Sequence, residues 1–293
     1  MPGSDLNPRA ADPASPGHLL SPLLARAGFR HAFFTRLGGA SQGPFASLSF
    51  STAVGDAPEH VDENLRRAGG LLGVGSERIL YLSQVHGREA RFYAEPELRT
   101  NTITLEGDAI GGSASDCAFG VRSADCVPVL IADDATGAVM AVHAGWRGVA
   151  LGAVAAGIEC LRKNVPASGR LLAAIGPHIS AAAFEVSEDV AGQLLAACPD
   201  RGEQALLRHS QTGPEKPHVD LRFIVTQQLL SLGLDSSAID QVGGCTRIEP
   251  ELYFSFRRDG KRSGRHLSAI VPRRAASAGL VTEPRPREPA LHP

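Results

Sequence analysis

Apolar positions along this chain fall into short strand-type runs separated by turn formers, with a few longer stripes at helical spacing. Residues 29–36 alternate well enough for a strand and run into the Gly-rich loop 37–44. Asp56 and Pro58 mark a helix start, as a cap followed by an early proline does, and apolar residues recur at helical spacing through Leu72. Residues 79–82 form a buried-type strand that stops at Ser83-Gln84-Val85-His86-Gly87, and 106–113 reads as a flexible, Gly-rich connection. Residues 118–122 lead into two β-branched apolar runs on either side of Asp133-Asp134-Ala135-Thr136-Gly137, which predict a hairpin.

Beyond the hairpin, an Ala-rich amphipathic helix is predicted over 148–164 and a buried strand over 171–175. Ser187 is a plausible N-cap with an acidic first turn behind it. Residues 200–217 are polar and irregular, Asp220 caps a helix that ends at Gly233, and 243–270 supply short strands and turns. Strands and helices mix without strict alternation, so the pattern favours an α+β fold of mixed sheets in layers over a doubly wound one. There is no internal repeat. The Pro-rich ends, 1–17 and 272–293, have too little apolar surface to order themselves and are expected to be tails.

Composition narrows the function. With 293 residues, 43% apolar and 20% charged, the chain can bury a sizeable core in one large domain or two. A net charge of -2 gives no reason to expect nucleic acid or an anionic membrane as partner. Aromatic content of 5%, with Trp146 the only tryptophan, argues against base-stacking platforms for nucleic acid. Five cysteines, an odd number without a C-x-x-C pair, speak against a disulfide framework, and no leader or membrane span is evident; a reducing cytoplasm is expected.

Candidate chemistry gathers on the hairpin. Cys126 opens its first strand and His143 closes its second, so antiparallel pairing returns both side chains to one end. Ala144 and Gly145 then leave room at a turn leading into a helix. His86, at another strand end, is the third candidate. Two imidazoles and a thiolate suit zinc, and three protein ligands leave one tetrahedral position open, the catalytic pattern. Copper fits less well: Met140 lies an odd number of strand residues from His143 and should point to the opposite face, and the chain has no H-x-H pair. A metal-free alternative makes Cys126 a nucleophile with a histidine as base and Asp125 as orienting group. Arg36, at the mouth of the Gly38-Gly39 loop, could grip an anion or pack on its own stem.

An ordered series of motifs then carries a family resemblance. Thr35-Arg36-x-Gly38-Gly39-x-Ser41-x-Gly43-Pro44, Gln84-Val85-His86-Gly87, Ala124-Asp125-Cys126-Val-Pro128, His143-Ala-Gly-Trp-Arg-Gly148, Ile175-Gly176-Pro177-His-Ile179 with Phe184-Glu185-Val186, Cys245-Thr246 and Phe254-Ser255-Phe-Arg257-Arg258-Asp259 together resemble the YfiH family. These are the laccase-domain or polyphenol oxidoreductase proteins now described as purine nucleoside phosphorylases. The resemblance runs from about His31 to Ile270.

The resemblance implies a single α+β domain, 18–271, related in fold to cysteine-dependent deamidase toxins. It implies Zn2+ on His86, Cys126 and His143, with phosphorolysis of adenosine, inosine, guanosine and methylthioadenosine and deamination of adenosine at the same site. Substrates are then purine nucleosides and phosphate, on a monomer or weak homodimer. Some relatives are discussed as peptidoglycan editing factors, which keeps a Cys-His hydrolase or amidase open; a metal-stabilised binding protein without turnover is the third reading. Deamination is expected to proceed by attack of activated water at purine C6. For phosphate, Arg36 with Gly38 and Gly39 is the first expectation and Arg147 the second. Gln84 and Ser49 are the other expected substrate residues, and Asp125 is the expected acid. Ser49 stands where the family pattern usually has Asn, a shorter reach that bears on purine preference.

Overall fold

The computed structural model describes residues 15–165, 169–209 and 215–273. The architecture is α+β in four layers, helix, sheet, sheet and helices, built as follows. A six-stranded mixed sheet runs in the order Ile239–Gln241, Leu171–Ile175, Val127–Asp133, Val139–Ala144, Ala109–Gly112 and Ala90–Tyr93. A five-stranded sheet runs His18–Leu19, His31–Phe34, His266–Ile270, Ala118–Ser123 and Ile79–Leu80. Their facing surfaces share one apolar cluster, including Phe33, Phe119, Val121, Leu130, Ala141, Leu172 and Ile270.

Period-two alternation explains why the hairpin strands are apolar throughout. On Val127–Asp133, the residues Val127, Val129 and Ile131 face the helix layer while Leu130 and Ala132 face the other sheet, so both faces are buried. The helix Ala153–Asn164 and the helix Leu221–Ser231 cover the outer face of the six-stranded sheet. The helix Pro58–Leu72 covers the five-stranded sheet through Val61, Leu65, Ala68 and Leu72.

The predicted hairpin forms with Pro128 opposite His143 and Val127 opposite Ala144. Its turn is held by the Asp133 carboxylate, which accepts the amides of Ala135 (3.0 Å) and Thr136 (2.8 Å), with Gly137 at φ 77. Other expectations need correction. The helix expected over 148–164 is two, Trp146–Leu151 and Ala153–Asn164, because Gly152 adopts φ 80 between them. The irregular 200–217 stretch includes a two-stranded ribbon, Leu206–His209 with Lys216–Val219. Residues 256–259, read among short strands, form one helical turn capped by Ser255.

The correction that matters most is in 106–113, where Ala109–Gly112 is a buried strand beside Val139–Ala144. Its glycines are there for close approach. A Cβ on Gly111 would stand 2.1 Å from the Val139 carbonyl oxygen, and one on Gly112 2.2 Å from that of Tyr93. At the ends, the Gly17 amide bonds the Leu37 carbonyl and the Arg273 amide bonds that of Gly137, so the packed region takes in a residue or two of each expected tail. The expected tail residues 1–14 and 274–293 lie outside the described residues. No helix among the described residues is long and apolar enough to cross a membrane.

Candidate metal and nucleoside site

The donor atoms of His86, Cys126 and His143 lie within 4.8 Å of one another, and among the described residues they are the one such group of histidine, cysteine and carboxylate side chains. Each arrives on a different element. His143 is near the end of its strand and is buried; Cys126 precedes the paired strand; His86 sits exposed on the turn after residues 79–82. Cys126 Sγ is 3.8 Å from His86 Nε2, and the two imidazoles meet edge to face with centroids 4.9 Å apart.

Local backbone geometry aims these groups. His86 is a non-glycine residue at φ 60, with the amides of Val85, His86 and Gly87 all turned onto the Asp108 carboxylate. Asp125 adopts φ 86 and turns the chain into Cys126. Its carboxylate accepts the Thr246 hydroxyl (2.6 Å) and the Arg257 amide (2.6 Å), and its carbonyl accepts the Ile179 amide. Asp125 thus holds three segments around the cysteine, and both its oxygens are engaged.

Electrostatics couple the cysteine to the histidine. Burial opposes the Cys126 thiolate, but the neighbouring His143 imidazolium and bonds from both imidazoles outweigh it and bring the thiol down to about 6. Burial likewise opposes a charged His143, which the Cys126 thiolate and the bond to Asp108 raise to about 9. The Asp108 carboxyl is pushed up by burial and pulled further down by the His143 and main-chain bonds, for a net lowering.

The donor set fits a zinc ion. Tetrahedral Zn–S and Zn–N bonds of about 2.0–2.3 Å need donors roughly 3.5 Å apart; here Cys126 Sγ and His86 Nε2 are 3.8 Å apart and all three donors lie within 4.8 Å. His143 Nδ1 is 2.8 Å from Asp108, which leaves Nε2 for the ion. Space is reserved beside the group: a Cβ on Gly145 would stand 2.8 Å from His86 Cδ2 and 3.0 Å from Cys126 Sγ. A thioether is out of reach on the hairpin, since Met140 packs with Ile131 and Val142 in the helix-facing core, on the face opposite His143.

A cavity of about 610 Å³ opens over this group. Its wall carries four arginines, Arg122, Arg147, Arg257 and Arg265, against the single carboxylate Asp125, together with the serines Ser51, Ser83 and Ser123. Arg122 lies over the Tyr81 ring at 4.3 Å and donates one long bond, 3.5 Å, to the Leu82 carbonyl. Burial lowers the pKa of both Arg122 and Arg265. Aromatic surface comes from Trp146, Phe184 and the half-exposed Phe256, whose ring Arg265 overlies at 5.6 Å.

Of the residues expected from sequence, His86, Cys126, His143, Asp125, Gln84 and Arg147 line this cavity; Arg36, Gly38, Gly39 and Ser49 do not. Arg36 spends its half-buried guanidinium on the carbonyls of Ala46 and Pro250 and stacks on Phe254, which is neither an anion grip at this cavity nor an exposed side chain lying on its own stem. Gly39 packs so tightly on Ser47 and Leu48 that no side chain would fit, and Gly38 likewise abuts Ser15. Ser49 is buried, its hydroxyl accepting the Arg265 amide. Gln84 works on the main chain: its amide donates to the Arg122 carbonyl (2.7 Å) and accepts the Arg122 amide (2.8 Å), fixing that arginine. Sequence reasoning gave no role to Asp108, Arg122, Arg257, Arg265 or Phe256. Arg257 and Phe256 stood in a quoted motif, the only signal available.

Residues 30–273 match the family model described as multi-copper polyphenol oxidoreductase laccase. The chain belongs to the YfiH family. A relative from Corynebacterium glutamicum, named a purine nucleoside phosphorylase, is 34% identical over 247 residues, 84% of this chain and 96% of that one. Escherichia coli YfiH, also named a purine nucleoside phosphorylase, is 33% identical over 242 residues, covering 80% and 90%. Among solved structures, YfiH of Bacillus licheniformis superposes with a TM-score of 0.78 at 26% identity, covering 91% of this chain and all of that one. YlmD of Geobacillus stearothermophilus gives 0.75 at 30% identity, covering 87% and 96%. The family's description names copper; among the described residues there is one His-Cys-His group, and Met140 of the hairpin lies on the face opposite His143.

Proposed function

We propose that this YfiH-family chain is a zinc-dependent purine nucleoside phosphorylase acting on adenosine, inosine, guanosine and methylthioadenosine, with adenosine deamination at the same site. The observation that carries the reading is a His-Cys-His group at the base of an arginine-lined cavity, in a chain whose relatives are named purine nucleoside phosphorylases. His86, Cys126 and His143 would hold the zinc. When bound, zinc supplies a Lewis acid and an activated water beside the substrate.

In phosphorolysis an oxygen of inorganic phosphate forms a bond to ribose C1′ as the C1′–N9 bond breaks. The bonding pair leaves with the purine, which takes up a proton, and ribose 1-phosphate remains. The dianion needs several fixed cations in a partly dry cavity, and Arg122 is suited by burial and by its single long internal bond, with Arg147, Arg257 and Arg265 at the wall, the last donating to the carbonyls of Ser263 and Gly264. Phe256 and Trp146 offer flat surfaces for the base. Asp125 is a scaffold in this reading, because its oxygens are taken by Thr246 and Arg257. In deamination, water adds at purine C6 and ammonia leaves. Incubation of adenosine with and without phosphate, followed by chromatography, tests both steps: adenine must depend on phosphate, and inosine or hypoxanthine must appear.

The lowered Cys126 thiol favours one alternative, a Cys-His hydrolase or amidase of peptidoglycan precursors. There the thiolate attacks an amide carbonyl, a histidine gives its proton to the departing amine, and water releases the acyl group. Activity that survives complete removal of metal would select it.

A further inference from the structure

We infer that Asp108 is a positioning residue that fixes both histidines of the metal group at once, an inference that rests on the metal reading of that group. The carboxylate is fully buried and receives four donors and no other polar group. Oδ1 accepts the His86 amide (3.0 Å) and the His143 Nδ1–H (2.8 Å); Oδ2 accepts the Gly87 amide (2.6 Å) and the Val85 amide (3.3 Å). The Asp108 carbonyl also accepts the His143 amide at 2.7 Å. One residue thereby holds His143 by ring and main chain and holds the turn that keeps His86 in a left-handed conformation.

Two consequences follow from the chemistry of the four donors. First, an acceptor at Nδ1 sets the His143 tautomer, leaving the Nε2 lone pair for the ion and raising its basicity. Second, only a carboxylate fills the place. An asparagine has one acceptor oxygen, so its NH2 must face either the His86 amide and His143 or the Val85 and Gly87 amides, donor against donor. The ligand His86 is exposed and gets little help from packing, so its placement depends on those amide bonds.

Zinc affinity of the full chain, measured by competition with a chromophoric chelator, tests this for Asp108→Asn alongside wild type. The melting temperature is recorded for each protein with and without zinc. Expected are a weakening of zinc affinity by about 10- to 100-fold and a reduced zinc-induced rise in melting temperature. A merely structural role would lower both melting temperatures equally and leave affinity and increment unchanged, and that result overturns the proposal. If Asp108→Asn does not fold, Asp108→Glu, which keeps the charge and displaces it by one methylene, is read by the same criteria. Wild type that binds no zinc would overturn the metal reading itself, whereas wild-type affinity in a folded variant overturns only the role of Asp108.

Discussion

A Cβ placed on Gly145 would stand 3.0 Å from the Sγ of Cys126, with His86 Cδ2 closer still at 2.8 Å. Gly145 has φ -67 and ψ 165, a conformation open to any residue, so backbone strain is not the reason for glycine here. Gly145→Ala should therefore fold normally and displace the exposed His86. A displacement approaching 1 Å at the reacting centre lowers activity about 100-fold. Circular dichroism and turnover of adenosine measured together check both halves.

Removing the sulfur should remove the ion. Metal analysis of purified protein is expected to find about one zinc per chain and none in Cys126→Ala, with nucleoside turnover lost in the variant and after chelation. Nucleoside turnover that persists in the chelated wild type and disappears in Cys126→Ala would move the chemistry from the metal to the thiol.

The phosphate assignment turns on Arg122. Its guanidinium makes little internal use of its donors, and Gln84 fixes its main chain from the neighbouring turn. Hydrogen bonds to charged groups contribute about 1.5–3 kcal/mol, so Arg122→Ala should raise the KM for phosphate by roughly 10- to 100-fold. Arg36→Ala should leave that KM unchanged and lower stability instead. Saturation curves in phosphate at fixed inosine distinguish the two variants.

Phe256 is half exposed at the cavity wall, where a base can lie on its ring. Stacking of a base on an aromatic ring contributes about 1–3 kcal/mol, so Phe256→Ala should raise the KM for nucleoside about tenfold with little change in that for phosphate. Equal effects on both substrates would place the base elsewhere.

Stability should fall in acid through His266. This buried imidazole accepts the Phe254 amide at Nε2 (2.9 Å), a bond that protonation destroys. Burial depresses its pKa from 6.5 to about 3, helped by the charges of Arg36, Arg265 and Arg258 and opposed by the bond to Ser123. The folded state therefore binds its proton later than the unfolded chain. Stability is intact above pH 6.5 and declines as pH falls towards 3, by on the order of 4 kcal/mol. Urea midpoints at pH 7, 5 and 4 should show the decline, and His266→Gln should flatten it.

What the sequence by itself determined is what is local. Alternating β-branched residues and the Asp133–Gly137 turn set a register of period two, and that register brings Cys126 and His143 to one end and sends Met140 to the other face. His86 was legible as a histidine held between a strand end and a glycine. The tertiary structure alone decided who stands around them. Asp108 lies in a stretch whose glycines look like a flexible loop until the neighbouring strands are there to press on them. Arg122, Arg257 and Arg265 reach the cavity from other strands and loops, and Arg36, which reads in sequence as an anion grip, is drawn off by two carbonyls, one of them 214 residues away. Side-chain periodicity is a property of neighbours along the chain, whereas an arginine's freedom to meet an anion depends on which distant carbonyls have already claimed its donors.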